Sequence, residues 1–140
     1  MNGPSPLARR LGYAGLLPFV AGALLVWIVH DDLRPELMRC LALYAAAIAS
    51  FLGGIHWGLA MQAGSPSRHL AWGVLPSLLA WPAAWMPPGA GLVLLGALLL
   101  ASYAVDRQLY PAAGAQGWLL LRFRLSAVAG LCCFIGAAGA

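Results

Sequence analysis

The chain has 140 residues, 62% of them hydrophobic and only 9% charged, against about 25% charged in a soluble domain. That little charge cannot cover a water-soluble globule. The formal net charge of +4 comes from arginines scattered along the chain, with no lysine, which argues against a nucleic-acid surface and for topology signals and lipid-headgroup contacts. The reading is all-α: one integral membrane domain over residues 1–140, a bundle of five transmembrane helices, each apolar run near the ~20 residues that cross a bilayer core.

The first span is expected over 11–29. Arg9 and Arg10 precede it, but its apolar run of about 19 residues exceeds the roughly 7–15 of a signal-peptide core, so it is read as a retained span. Pro18 is expected to bend it by removing a backbone donor. The second span, 37–61, holds "FLGGIHWG" (51–58), an imidazole inside an apolar run. Gly54 and Gly58 form a G-x-x-x-G pair that would let a neighbour pack closely, with His56 on a different face. The third span, 70–86, is short and carries Pro76 and Pro82; His69 just before it reads as a solvated loop residue. The fourth span is 90–106. The fifth is 118–138, with Arg122, Ser126, Ala129, Gly130, Cys133 and Ala137 along one stripe. The short connections imply an up-down bundle.

With the N-terminus inside, six arginines (Arg9, Arg10, Arg68, Arg107, Arg122, Arg124) lie on the inner side and two (Arg34, Arg39) on the outer. The positive-inside rule then places the N-terminus inside and the C-terminus outside.

The same topology brings unusual polar residues to one depth. His56 lies five residues before the inner end of span two, about 7–8 Å deep at ~1.5 Å per residue. Span four ends inside at Tyr103, Asp106 and Arg107, and span five begins inside with Arg122 and Arg124 in its first turns. Ionisable residues inside a membrane are costly and mark candidate sites. The candidate ligand-binding set is therefore His56, Trp57, Tyr103, Asp106, Arg107, Arg122 and Arg124. Two arrangements are open. Asp106 pairs with an arginine and His56 as a structural cluster, or the group lines a pocket for an anion held by the arginines. No metal is expected: a lone imidazole is no metal site, and Cys40, Cys132 and Cys133 lack ligand spacing. The cofactor and catalytic residues are left unassigned.

"LGYAGLLPF" (11–19), "SFLGGIHWGLAM" (50–61), "WGVLPSLLAW" (72–81), "YAVDRQL" (103–109) and "WLLLRFRL" (118–125) resemble the small five-span family that includes transmembrane protein 69, a domain of unknown function in bacteria and mitochondria. The resemblance covers nearly the whole chain. It implies a bacterial or mitochondrial inner-membrane location and no particular activity. Its polar motif positions fall here on His56, Trp57, Asp106, Arg107, Arg122 and Arg124.

The functional expectation is a binding or accessory module. Its inward-facing polar site would take an anionic lipid headgroup, a hydrophobic cofactor or a partner subunit. One alternative is a small intramembrane enzyme acting on a lipid or isoprenoid, with His56 as acid or base; another is a transporter, if oligomeric. Expected partners are membrane lipids, a partner membrane subunit or further copies of the chain.

Overall fold

The computed structural model describes residues 3–63 and 67–140. Among them the chain is all-α: α1 (Pro6–Ala14), α2 (Leu17–Ile28), α3 (Arg34–Ala63), α4 (Ser67–Trp85), α5 (Pro88–Leu109) and α6 (Leu119–Ala138), with two 3-10 turns, Pro111–Ala113 and Gln116–Trp118, between α5 and α6. α1 and α2 are two pieces of one apolar stretch. Four stretches, Pro6–Ile28, Arg34–Gln62, Pro88–Leu109 and Gln116–Ala138, are long and apolar enough to cross a membrane. α4 completes the five-rod bundle without meeting that measure.

The sequence signals explain the element ends. Ser5 caps α1, its hydroxyl accepting from the Ala8 N–H at 3.1 Å, and Pro6 stands in the first turn, where its missing donor costs nothing. The break in the first stretch falls at Gly15–Leu16, earlier than a bend at Pro18. Pro18 offers no N–H to the Ala14 carbonyl four residues back, so α1 stops there and Pro18 sits in the first turn of α2. The Tyr44 hydroxyl donates to the carbonyl of Gly15 at 2.6 Å and fixes the turn against α3. Pro87 and Pro88 start α5, and Gly114, with φ of 76°, ends the first 3-10 turn in the left-handed region.

α3 is the central rod, packed against α2, α4, α5 and α6. Its Leu41, Ala45, Ala49 and Leu52 meet Phe19 and Val26 of α2, Leu92, Leu95 and Leu99 of α5, and Ala129 and Cys133 of α6. α4 buries His69 and a narrow seam of smaller residues, Gly73, Pro76, Ala80 and Ala83, while Leu78, Trp81 and Trp85 face outward.

The close approach in α3 is not at the expected G-x-x-x-G pair. Nothing lies within 4 Å of where a Cβ would stand on Gly54 or Gly58. Gly53 makes the approach instead. A Cβ there would collide with the Gly73 carbonyl oxygen, and one on Gly73 would overlap the Trp57 indole. The α3–α4 crossing therefore runs through Gly53 and Gly73, where only the missing side chains let the backbones meet.

Candidate functional site

That crossing positions the first two polar side chains. In antiparallel helices crossing at Gly53 and Gly73, one turn onward in α3 is His56, and one turn back in α4 is His69. The two rings meet, with Nδ1 of His56 2.9 Å from Nδ1 of His69 and ring centroids 5.2 Å apart. On the other edge of His56, Nε2 lies 2.5 Å from Oδ1 of Asp106 in α5. Asp106 in turn receives Arg122 of α6: Nε and Nη2 donate to Oδ2 at 2.7 and 2.5 Å. The remaining arm of Arg122, Nη1, donates to Ser126 Oγ at 2.6 Å, one helical turn along. Four helices thus each contribute to one continuous hydrogen-bonded chain, His69–His56–Asp106–Arg122–Ser126.

All five side chains are buried. His56 is 0% exposed, His69 and Asp106 1%, Ser126 3% and Arg122 5%. A carboxylate and a guanidinium buried together offset each other's lost hydration only when their lone pairs and protons are satisfied, and both oxygens of Asp106 are. The network also assigns proton positions. Asp106 as a carboxylate only accepts, so His56 donates through Nε2–H. A neutral His56 then has a bare Nδ1, which accepts from Nδ1–H of His69. That leaves Nε2 of His69 a bare acceptor. His69 Nε2 and Ser102 Oγ, one turn before Asp106 in α5, are the buried polar side-chain atoms without a partner among the described residues.

Tyr110, just past the end of α5, closes the site from one side, its ring edge-on to His56 at 5.6 Å. Burial, and next the Asp106 carboxylate, push its phenol up to about 12, so it remains protonated at ordinary pH.

The structure brings together only part of the candidate set. His56, Asp106 and Arg122 meet as described. Trp57 is on the outside of α3, its indole N–H donating to the Leu70 carbonyl at 3.1 Å, which clamps α4 rather than facing the cluster. Tyr103 is half-buried and packs edge-on against Phe123 at 5.4 Å. Arg107 is exposed. Arg124 is exposed and donates to the Tyr13 hydroxyl at 3.2 Å. Arg122 and Arg124 differ by two residues, which on a helix puts them on nearly opposite sides. His69 corrects the sequence reading: it is no solvated loop residue but a buried member of the first turn of α4. Among the described residues no trio of His, Cys, Asp and Glu is placed to hold a metal ion.

Beside the cluster lies an apolar cleft of about 430 Å³. Its walls come from α1, α2, α3, α5 and α6, including Gly12, Phe19, Phe51, Leu52 and Leu99. Apart from the Trp118 indole, its polar side chains are Arg122 and Ser126. The cleft therefore touches the far end of the buried chain, while His56 and Asp106 are not among its lining residues.

Residues 4–138 match the family described as "Protein of unknown function (DUF3429)". The chain is 42% identical over 84 residues to Transmembrane protein 69 of Xenopus tropicalis, covering 57% of this chain and 32% of the relative. Against Transmembrane protein 69 of Mus musculus it is 34% identical over 87 residues, covering 59% and 35%. It thus spans about a third of the length of these relatives. No solved structure matches. With nearly every residue inside the family match, and apolar helices built to cross a bilayer, the chain belongs to the DUF3429 family of transmembrane protein 69-like membrane proteins.

Proposed function

We propose that the protein is a binding module of the membrane whose cleft holds one amphipathic molecule, apolar chain along α1–α3 and polar head on Arg122 and Ser126. The observation that carries this reading is the cleft itself: an apolar space of about 430 Å³, within the usual range for ligand sites, ending on two hydrogen-bonding side chains. A guanidinium has five N–H donors, and three are engaged by Asp106 and Ser126. N–H groups of Arg122 beyond those three, with the Ser126 hydroxyl proton, give the floor its donor character. The head it fits is an oxygen acceptor. Direct acid–base catalysis by His56 is not supported, because both its ring nitrogens are engaged and it does not line the cleft. The orientation that fits the arginine distribution keeps the N-terminus and the cluster at the inner side of a bacterial or mitochondrial inner membrane.

The test is native mass spectrometry of protein released from the membrane in mild detergent. One amphipathic molecule should travel with the wild type. Ile48→Trp and Ala8→Trp, which fill the cleft from two different walls, should lose it while the protein stays folded. Equal retention by both variants would overturn the proposal.

A further inference from the structure

The buried chain and the cleft share Arg122, and this coupling has a consequence for charge. At rest the site is neutral: Arg122 is balanced by Asp106, and the two histidines need carry no charge. An anion arriving at Arg122 from the cleft would leave the Asp106 carboxylate as an uncompensated charge in a buried site. One proton restores neutrality, and the hydrogen-bonded chain has an acceptor for it, Nε2 of His69, which has no partner among the described residues. We propose that the cleft takes an amphiphile with an anionic head, and that each anion binds together with one proton delivered through His69 and His56 to Asp106.

The step balances atom by atom. A proton binds Nε2 of His69. The proton on Nδ1 of His69 crosses to Nδ1 of His56 along their 2.9 Å contact. The proton on Nε2 of His56 crosses to Oδ1 of Asp106. The two hydrogen bonds linking His69, His56 and Asp106 survive with their direction reversed: Asp106 now donates to His56, and His56 to His69. Both imidazoles end neutral, each as its other tautomer. Asp106, now uncharged, holds Arg122 less strongly, and the guanidinium is free to pair with the anionic head. The titratable and charged groups around the chain are few. His56 comes from α3, His69 from α4, Asp106 from α5 with Tyr110 just beyond it, and Arg122 from α6; Arg68, Arg107 and Arg124 are exposed. With its phenol pushed up to about 12, Tyr110 keeps its own proton and does not compete.

This inference rests on the cleft reading, and the experiment separates the two. The protein is placed in nanodiscs of a zwitterionic lipid and titrated between about pH 6 and 8.5 with hexadecyl sulfate, a strong acid whose charge does not change over that range, and with hexadecanol, the neutral counterpart. Hexadecyl sulfate should bind about tenfold more weakly for each unit rise in pH, the slope of one proton per anion, and hexadecanol should bind without that slope. Stopped-flow mixing with a pH indicator should show proton uptake on sulfate binding. His69→Gln, whose amide can still donate to His56 but cannot pass a proton on, should slow that uptake at least tenfold. Asp106→Asn, a fixed mimic of the protonated carboxyl, should bind the sulfate with no pH slope. Sulfate binding that is independent of pH in the wild type overturns the proton coupling and leaves the cleft reading intact, as does binding of the alcohol alone. Proton uptake as fast in His69→Gln as in the wild type overturns the route. Failure of the wild type to bind either probe at any pH overturns the cleft reading and this inference with it.

Discussion

Among the described residues two aspartate–arginine pairs stand in opposite settings. Asp31 and Arg34 meet at 3.2 Å beside the start of α3, with side chains 92% and 28% exposed. Asp106 and Arg122 meet at 2.5 Å in the bundle interior, 1% and 6% exposed. The chemistry is the same, but the first pair exchanges water contacts for each other at almost no net gain. The second has no water to return to. Its members are costly to bury and far costlier to separate, because each would be left charged and alone. The difference teaches where the proposed coupling can reside: in the buried pair, where the arrival of one charge leaves another uncompensated.

The largest effect that would break this contrast is removal of the buried carboxylate. Asp106→Ala leaves Arg122 without its counter-ion and His56 without its acceptor, and should cost about 3–5 kcal/mol, read as loss of thermal stability in detergent. Asp106→Asn keeps an acceptor for Arg122 and should cost less. A loss no larger than that of Asp31→Ala would show that the interior pair contributes no more than the surface one.

Gly53→Ala comes next. The surface pair is made within one short stretch of chain, whereas the cluster depends on α3 and α4 touching at Gly53 and Gly73. The added methyl forces the helices apart and should cost about 1–3 kcal/mol. Nitrogen NMR of labelled imidazoles should then show the His56–His69 coupling lost. Gly54→Ala, which meets nothing within 4 Å, is the control and should be neutral or slightly stabilising.

A smaller effect is confined to high pH. The Tyr110 phenol is raised to about 12 in the folded protein from about 10 in the unfolded chain. The unfolded state therefore loses this proton first. The stability is fully present below pH 10 and is lost as pH rises toward 12. Tyr110→Phe should flatten that decline in unfolding curves taken across the window, and an unchanged slope would count against burial beside Asp106. The smallest effect is at the surface pair: Asp31→Ala should change stability by no more than about 0.5 kcal/mol, and less at high salt.

Much of the architecture was legible because apolar length and short loops constrain a membrane chain so tightly. The meeting of His56, Asp106 and Arg122 was legible too, since consecutive antiparallel spans must bring those positions to one depth. What depth does not reveal is facing. Arg122 and Arg124, or Asp106 and Arg107, share a level, yet one of each pair points inward and the other outward. The glycine reading failed for the same reason. G-x-x-x-G at 54 and 58 is a repeat within one helix, whereas the functional approach pairs Gly53 with Gly73 of the next helix. His69 was missed because its nearness to a loop outweighed its spacing. Read together, G-x-x-H at 53–56 and H-x-x-x-G at 69–73 are mirror patterns in two antiparallel helices, and that pairing is the signal that would have placed both rings.

The broken first stretch has a consequence for how the cleft is supplied. α1 forms one of its walls, has no buried residue of its own, and joins α2 through the turn at Gly15–Leu16. Leu7, Leu11 and Leu17 along this edge face outward, as does Phe51 on the opposite wall. Such an opening borders acyl chains, not water. For the amphiphile proposed above, the relevant dose is then its mole fraction in the surrounding leaflet, and its aqueous solubility does not enter. Two membranes with the same protein and the same total ligand will load the cleft differently if one holds more lipid, because the extra lipid dilutes the ligand in the phase from which it enters.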